Sequence, residues 1–354
     1  MSGMTDVPPQ ATAERLTAIL RRAGVLERGE VTDVAVETPR EMLISRVTRL
    51  RLTYDRGDGG PSHVFFKTSR EDTDPTVREF GRKEAAFYNV VAAATPPGLL
   101  PRCYEAVDEQ AGAWHIMLED LTGTHEPLGD WPLPPSIERF RVVLDAHARF
   151  HAFWWDHERL GVSVGTFADD SGMLERNLAA FGKEVATFAD RLGYRLSAER
   201  RQIYDRLIAA TPRLIARYRS RRNMTIIHGD AHVWNALHHR DPAVRDVRLI
   251  DWDAWRVNVA TSDLAYMIAV HWFPDWRRRH ERESLLRYHE SLVAGGVRGY
   301  SFDALWEDYR LSVLWQIATP MWQANHGIGP WVWWNHLDRI MSAVHDLGCL
   351  ELLD

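Results

Sequence analysis

Up to Gly123 the chain carries five stretches with the two-residue rhythm of extended strands, alongside two helical ones; beyond it, with one interruption, the 3.6-residue rhythm of helices dominates. VTDVAVET (31–38) alternates apolar and polar positions, and LISRVTRLRLTY (43–54) and HVFFKT (63–68) continue in that style. Pro39-Arg40-Glu41 is read as the connection between the first two strands, and RGDGGPS as the turn before the third. A helix is expected over about 76–94, ended by TPPG, followed by short strands in CYEAVD (103–108) and WHIMLED (114–120). Ahead of the sheet, 12–27 reads as a helix with Leu16, Ile19, Leu20 and Val25 on one face; the polar, proline-bearing first dozen residues are expected to fray. Helical patterns then cover 136–157, 171–191, 197–219, 262–271, 277–294, 302–325 and 331–348. A chain of 354 residues is long for one core. The expected organisation is therefore an N-terminal lobe over 1–118, a hinge at 119–123 and a helical lobe over 124–354.

The totals exclude several classes. A net charge of −6 gives no basic surface for nucleic acid, and the runs at 217–222 (RYRSRR) and 277–279 (RRR) read as solvated helix ends. Two cysteines, Cys103 and Cys349, cannot build a disulfide framework, which points to a reducing, cytoplasmic setting. No stretch of 18 apolar residues occurs, and MSGMTDVPPQ lacks the basic-then-apolar pattern of an export signal, so no membrane partner is expected.

The interruption is TIIHGDAHVWNALHHRDPAVRDVRLIDWD (225–253), where short apolar runs at 225–227 and 247–250 suggest two small strands carrying polar loops. Two chemistries compete for it. In a metal hydrolase, His228, Asp230, His232, His238 and His239 would supply ligands, but their spacing fits no zinc motif. His147 and His151 stand four apart without the glutamate of HExxH. Beside Phe150, Phe153, Trp154 and Trp155 they read as packed, hydrogen-bonded core. Phosphoryl transfer asks instead for neutralised charge and oxygens held in line. The kinase template meets this with an aspartate, an asparagine five residues on and a second aspartate beyond. Asp230, Asn235 and Asp251 stand in that order, Asp251 directly after the apolar run VRLI. The template also asks for a lysine on the third strand and a glutamate on the next helix. Lys67 is the lysine, and Glu84 the glutamate, with Glu79 as competitor. Each alone would be a surface charge; jointly they are a pattern.

HGDAHVWN (228–235) resembles the HGDxHxxN catalytic loop of the aminoglycoside phosphotransferase-type kinase family. LIDWD (249–253) is similar to its metal-binding segment, HIMLEDLTG (115–123) to its strand-to-hinge segment, and SDLAY (262–266) to the helix start after the metal loop. DAHARFHAFWW (145–155) resembles the helix before the catalytic loop. The resemblance spans about 40–275, and LEDL with FHAFWW points to the ecdysteroid-kinase-like bacterial branch. It implies an α+β, protein-kinase-like two-lobe fold: a small antiparallel sheet with one main helix, then a larger helical lobe. It also implies ATP and Mg2+ as cofactors. Asp230 would be the base, Asn235 and Asp251 the magnesium ligands, and Lys67, partnered by Glu84, the contact to the phosphates. The carbonyl of Glu119 and amide of Leu121 would meet adenine, and His228 and Asp263 would brace the loop.

The sequence departs from protein kinases in two ways: no G-x-G-x-x-G lies between the first strands, and no activation segment follows Asp251. Backbone amides or Ser45 would then meet the phosphates. The expected partner is a small hydroxylated acceptor, with no nucleic acid or membrane, on a monomer or homodimer. Tryptophans crowd 301–336, three of them in GIGPWVWWNH, against only Asp303, Glu307 and Asp308 as carboxylates; this tilts the acceptor towards a neutral, partly apolar alcohol. A catalytically silent, nucleotide-binding kinase-like scaffold, a protein kinase and a metal hydrolase are the alternatives.

Overall fold

The computed structural model describes residues 7–42, 45–56, 59–69, 75–108, 114–129, 131–167 and 173–354. Two compact units emerge, Met1–Pro127 with Ala236–Trp255, and Leu128–Asn235 with Arg256–Asp354. They are discontinuous in sequence, because the segment after Asn235 packs with the N-terminal unit.

In the first unit, α1 (Ala13–Arg22) starts at Thr12, whose hydroxyl accepts from the Arg15 amide, an N-cap worth about 1 kcal/mol. Next come β1 (Val31–Glu41), β2 (Ser45–Tyr54), β3 (His63–Ser69), α2 (Pro75–Ala86), β4 (Cys103–Asp108), β5 (Trp114–Glu119) and β6 (His125–Pro127). A π-helical turn, Phe87–Ala92, extends α2. The first five strands form one antiparallel sheet in the order β1-β2-β3-β5-β4. Leu50, Leu52, Val64, Phe66 and Met117 are buried with Leu16, Ile19 and Leu20 of α1. Strand alternation therefore turns Lys67, the neighbour of Phe66, to the other face. Mid-helix Gly81 is required by packing: a Cβ there would lie 1.8 Å from the Trp114 ring.

Two expectations are corrected in this unit. Pro39, Arg40 and Glu41 are not a connection but the end of β1, paired with Thr48, Val47 and Arg46. β1 is an edge strand, where a proline removes no ladder bond. Leu43 and Ile44, read as the start of the second strand, lie outside the described residues. Fraying of the first dozen residues does not hold from Val7 onward: Pro9–Ala11 is a 3-10 turn and Ala11 is fully buried. Residues 1–6 lie outside the described set.

The chain continues through α3 (Ile137–Phe153), α4 (Met173–Leu192), α5 (Ala198–Leu214), α6 (Ala216–Arg219) and β7 (Thr225–Ile227). It rejoins the first unit as β8 (Ala236–His239) and β9 (Val247–Leu249), a hairpin that pairs with β6. The second unit resumes with β10 (Arg256–Asn258), paired to β7, then α7 (Thr261–Leu264) and a π-helical turn, Ala265–Val270. α8 (Pro274–Ala294), α9 (Phe302–Trp315), α10 (Ala318–Asn325) and α11 (Pro330–Asp346) complete it. Among the described residues no helix is long and apolar enough to cross a membrane. The basic runs are not merely solvated. Arg217 makes a forked pair with Asp308 at 2.6 and 2.8 Å, and buried Arg277 bonds to Glu281 at 2.8 Å and to Asp346. Both run into partners distant in sequence or on the inner helix face, which local charge density does not reveal.

Candidate active site

Within the first unit, Lys67, Glu84 and Asp251 converge. Lys67 Nζ donates to Glu84 Oε2 and to Asp251 Oδ1, each at 2.6 Å. Burial by itself would lower the Lys67 pKa, but Asp251 and Glu84 outweigh it and leave the ammonium firmly protonated. Burial pushes Glu84 upward; Lys67 and the Trp252 amide, which donates to it, pull it back. Two carboxylates thus share one cation. Glu79, the other candidate, instead receives Arg82 on the exposed side of α2.

Asp251 is positioned by its surroundings. Its φ of +67 is uncommon for a residue with a Cβ and marks a backbone held by its neighbours. Trp252 is fully buried, stacks on Phe87 at 4.1 Å between ring centroids and donates from Nε1 to the Leu249 carbonyl. Trp255 Nε1 reaches the Lys83 carbonyl at 2.8 Å. Two indoles thereby fasten the segment after β9 to the end of α2.

Glu119 closes β5, with its carboxylate accepting from the Arg102 amide at 2.7 Å. The Leu121 carbonyl accepts from Thr124 and His125, while its amide donates to none of the described residues. Between them Asp120 accepts a fork from Arg49 at 3.0 and 2.8 Å, and takes the amide and hydroxyl of Thr122 on its other oxygen. Sequence reading missed this brace; the acid stood in LEDL, but its partner is 71 residues away in β2. Ser45 is buried at the start of β2, opposite Ser69.

Within the second unit, β7 delivers the chain into the HGD turn. Gly229 sits at φ +84, a conformation a side chain would strain, and so lets Asp230 turn out of the strand. Asn235 Nδ2 donates to the Asp230 carbonyl at 2.9 Å and to its Oδ2 at 3.1 Å. Both partners can only accept, so the Asn235 oxygen must face the other way. His232 Nε2 lies 3.5 Å from the same Oδ2. Beneath the turn, Asp263 accepts the amides of His228 at 2.7 Å and Gly229 at 2.9 Å. Burial would raise the Asp263 pKa, but the opposing effects, led by the hydrogen bond from His151, hold it well below the carboxylate range. Ligand-type atoms of His147, His151 and Asp263 lie within 4.8 Å of one another, the one such group among the described residues. Asp263 already uses both oxygens on loop amides, and burial drives His147 down to about 3, so it stays neutral. Both histidines are packed core, as their aromatic neighbours suggested, but the hydrogen bonds belong to His151; His147 Nδ1 lies 3.9 Å from Asp263 and is buried without a hydrogen-bond partner among the described residues.

The tryptophans divide. Trp272 is buried, T-shaped against Phe140, while Trp331 is 69% exposed at the start of α11. Of the three carboxylates over 301–336, Asp308 is held by Arg217 and Tyr300, and Glu307 by Arg310.

A family model described as the ecdysteroid kinase-like family matches residues 40–296, well over half the chain. The chain belongs to that family. It is a kinase-like phosphotransferase with the family's mixed α and β fold. No curated protein matches it in sequence. Among solved structures it is similar to one from Ralstonia eutropha JMP134, provisionally assigned as an aminoglycoside phosphotransferase. The two are 15% identical, with a TM-score of 0.60, over 96% of this chain and 98% of that one. It is also similar to aminoglycoside 2'-phosphotransferase-IIIa in its GDP complex (12%, 0.53, 95% and 99%). A third likeness is to an amicoumacin kinase in complex with AMP-PNP, Ca2+ and Ami (12%, 0.50, 95% and 96%). At these identities the likenesses establish the kinase-like fold.

Proposed function

We propose that this protein transfers the γ-phosphate of ATP, with Mg2+, to a hydroxyl of a small molecule. What supports the reading most is the single ammonium of Lys67 held at 2.6 Å by two carboxylates, one of them Asp251 with its side chain 38% exposed. A buried lysine flanked this way stays charged and fixed, as phosphate binding requires.

The donor set also fits magnesium, a hard cation that prefers oxygen ligands. The Lys67 cluster carries one carboxylate in excess of its ammonium, and the Asn235 oxygen is turned away from Asp230. Asp251 and Asn235 would hold the ion, which neutralises phosphate charge when bound. The chain's own groups do the rest. Asp230 is oriented through Oδ2, which leaves Oδ1 to take the acceptor's hydroxyl proton as the oxygen attacks phosphorus. Lys67 orients the phosphates and Glu84 keeps Lys67 from swinging. The Glu119 carbonyl and the Leu121 amide meet adenine, and Ser45 stands where the glycine loop of other kinases would cover the phosphates. Occupied carboxylates and an exposed Trp331 suit an uncharged, partly apolar alcohol better than a polycation. A sugar, a macrolide, a sterol-like alcohol or an antibiotic alcohol of low charge is the acceptor this reading favours.

The test is a thermal-shift titration with ATP and GTP, each with and without Mg2+, on wild type and Asp251→Ala. A magnesium-dependent rise in wild type, lost in the variant, is expected. No shift with any nucleotide, but one with zinc alone, would return the protein to the hydrolase reading.

A further inference from the structure

The HGD turn is held by Asp263, but Asp263 is itself held. His151 Nε2 lies 3.2 Å from Asp263 Oδ2, and His151 Nδ1 lies 2.6 Å from the hydroxyl of Tyr288, on α8. All three residues are buried, His151 and Tyr288 fully so. The Thr225 hydroxyl donates to the His151 carbonyl at 2.9 Å, which fastens β7 to α3 at the same level. Tyr288 answers to nothing in the sequence motif: it lies 58 positions beyond Asp230, on a helix that the family's short patterns do not mark.

Elementary chemistry assigns the protons. An ionised carboxylate only accepts, so His151 Nε2 must carry a hydrogen towards Asp263. A phenol sealed from water and facing Asp263 keeps its proton, since burial first and that carboxylate second push its pKa far up. His151 Nδ1 is the one partner of that hydroxyl among the described residues, so the phenol hydrogen goes to Nδ1 and the imidazole carries its own hydrogen on Nε2. Asp263 receives three N–H groups, two of which are the consecutive backbone amides of His228 and Gly229.

We propose that Tyr288 is a positioning residue for phosphoryl transfer, fixing the His151 tautomer so that Asp263 holds the His228 and Gly229 amides and, through them, the reach of Asp230. The part about phosphoryl transfer rests on the kinase reading above; the hydrogen-bond relay does not. Without the phenol, His151 can turn its proton to Nδ1 and present a lone pair to Asp263. The carboxylate then loses a donor, and the loop amides lose part of their anchor.

The experiment is nitrogen-15 NMR of the histidine rings together with amide hydrogen exchange, on wild type and Tyr288→Phe. In wild type, His151 should be neutral with its hydrogen on Nε2; a hydrogen on Nδ1, or on both nitrogens, overturns the proposal without any variant. In Tyr288→Phe, exchange at His228 and Gly229 should rise about tenfold, the scale of one lost hydrogen bond, while α3 and α8 keep their protection. Unchanged exchange at both amides overturns it, as does a rise spread evenly over the unit, which would mark a packing role only. Once an acceptor is in hand, the variant should lower kcat and leave the nucleotide KM alone; the reverse split counts against positioning. Failure of the kinase reading would show separately, as a missing magnesium-dependent shift with ATP, and would leave the exchange result standing.

Discussion

Two buried groups of polar side chains serve this protein in opposite ways. Around Lys67, charge is concentrated: one ammonium, two carboxylates, a strained Asp251 backbone and a carboxylate still partly open to solvent. Around Asp263, charge is dispersed: one carboxylate receives three N–H donors, backed by a neutral imidazole and a phenol. The first arrangement leaves electrostatic capacity over and suits a ligand that brings its own charges. The second is saturated, which suits holding a backbone still. Strength of burial does not separate them; what separates them is whether every lone pair and proton already has a partner inside the fold.

Removing a partner from the charged group should have the largest effect. Lys67→Ala strands Glu84, 2% exposed, without its cation, and should cost about 3 kcal/mol of stability by urea unfolding near pH 7. The loss should shrink as the pH falls and Glu84 takes up a proton. A loss independent of pH would mean that the cluster is not the electrostatic unit described.

Asp230 tests the other side. Asp230→Ala should leave folding and nucleotide binding close to wild type while turnover falls about a hundredfold or more, equivalent to ~2.7 kcal/mol of barrier. A variant keeping more than about a tenth of wild-type turnover would remove Asp230 from the role of base.

The most gradual effect, at most ~1.4 kcal/mol per pH unit for a histidine, sharpens the contrast by pH. His147 in the second unit is held down to about 3, as is His336, each by burial first, against 6.5 for a free histidine. Their folded pKa lies below the unfolded one, so between pH 6.5 and 3 the unfolded chain binds more protons. Stability should therefore fall on acidification through that window, by at most ~1.4 kcal/mol per pH unit for each histidine. Asp263, also held low, adds its loss below the ordinary carboxylate range. Denaturation curves at pH 7, 6, 5 and 4 read the slope, and His147→Phe should flatten it. An unchanged slope in the variant would break the assignment of His147 as a buried neutral base.

Much of the molecule was legible from its sequence because periodicity is local. The helices over 137–153, 198–214 and 274–294, and the strands at 63–69 and 225–227, lie within a few residues of their expected bounds. Lys67, Glu84 and Asp251 were legible because chemistry demands their order along the chain, and the structure then chose Glu84 over Glu79 by geometry. The Pro39–Glu41 stretch was misread because a proline signals a turn unless the strand is known to be an edge, and edges are a property of the assembled sheet.

The kind of most long elements, the five-residue spacing of Asp230 and Asn235 and the family itself were therefore decided by the sequence, since each depends on neighbours within one element or one loop. Tertiary structure alone decided which long-range partners complete the charges: Arg49 for Asp120, Asp308 for Arg217, and His151 with Tyr288 for Asp263. A hydrogen bond depends on position to within a few tenths of an ångström, and no spacing rule reaches across 70 to 140 residues to set it.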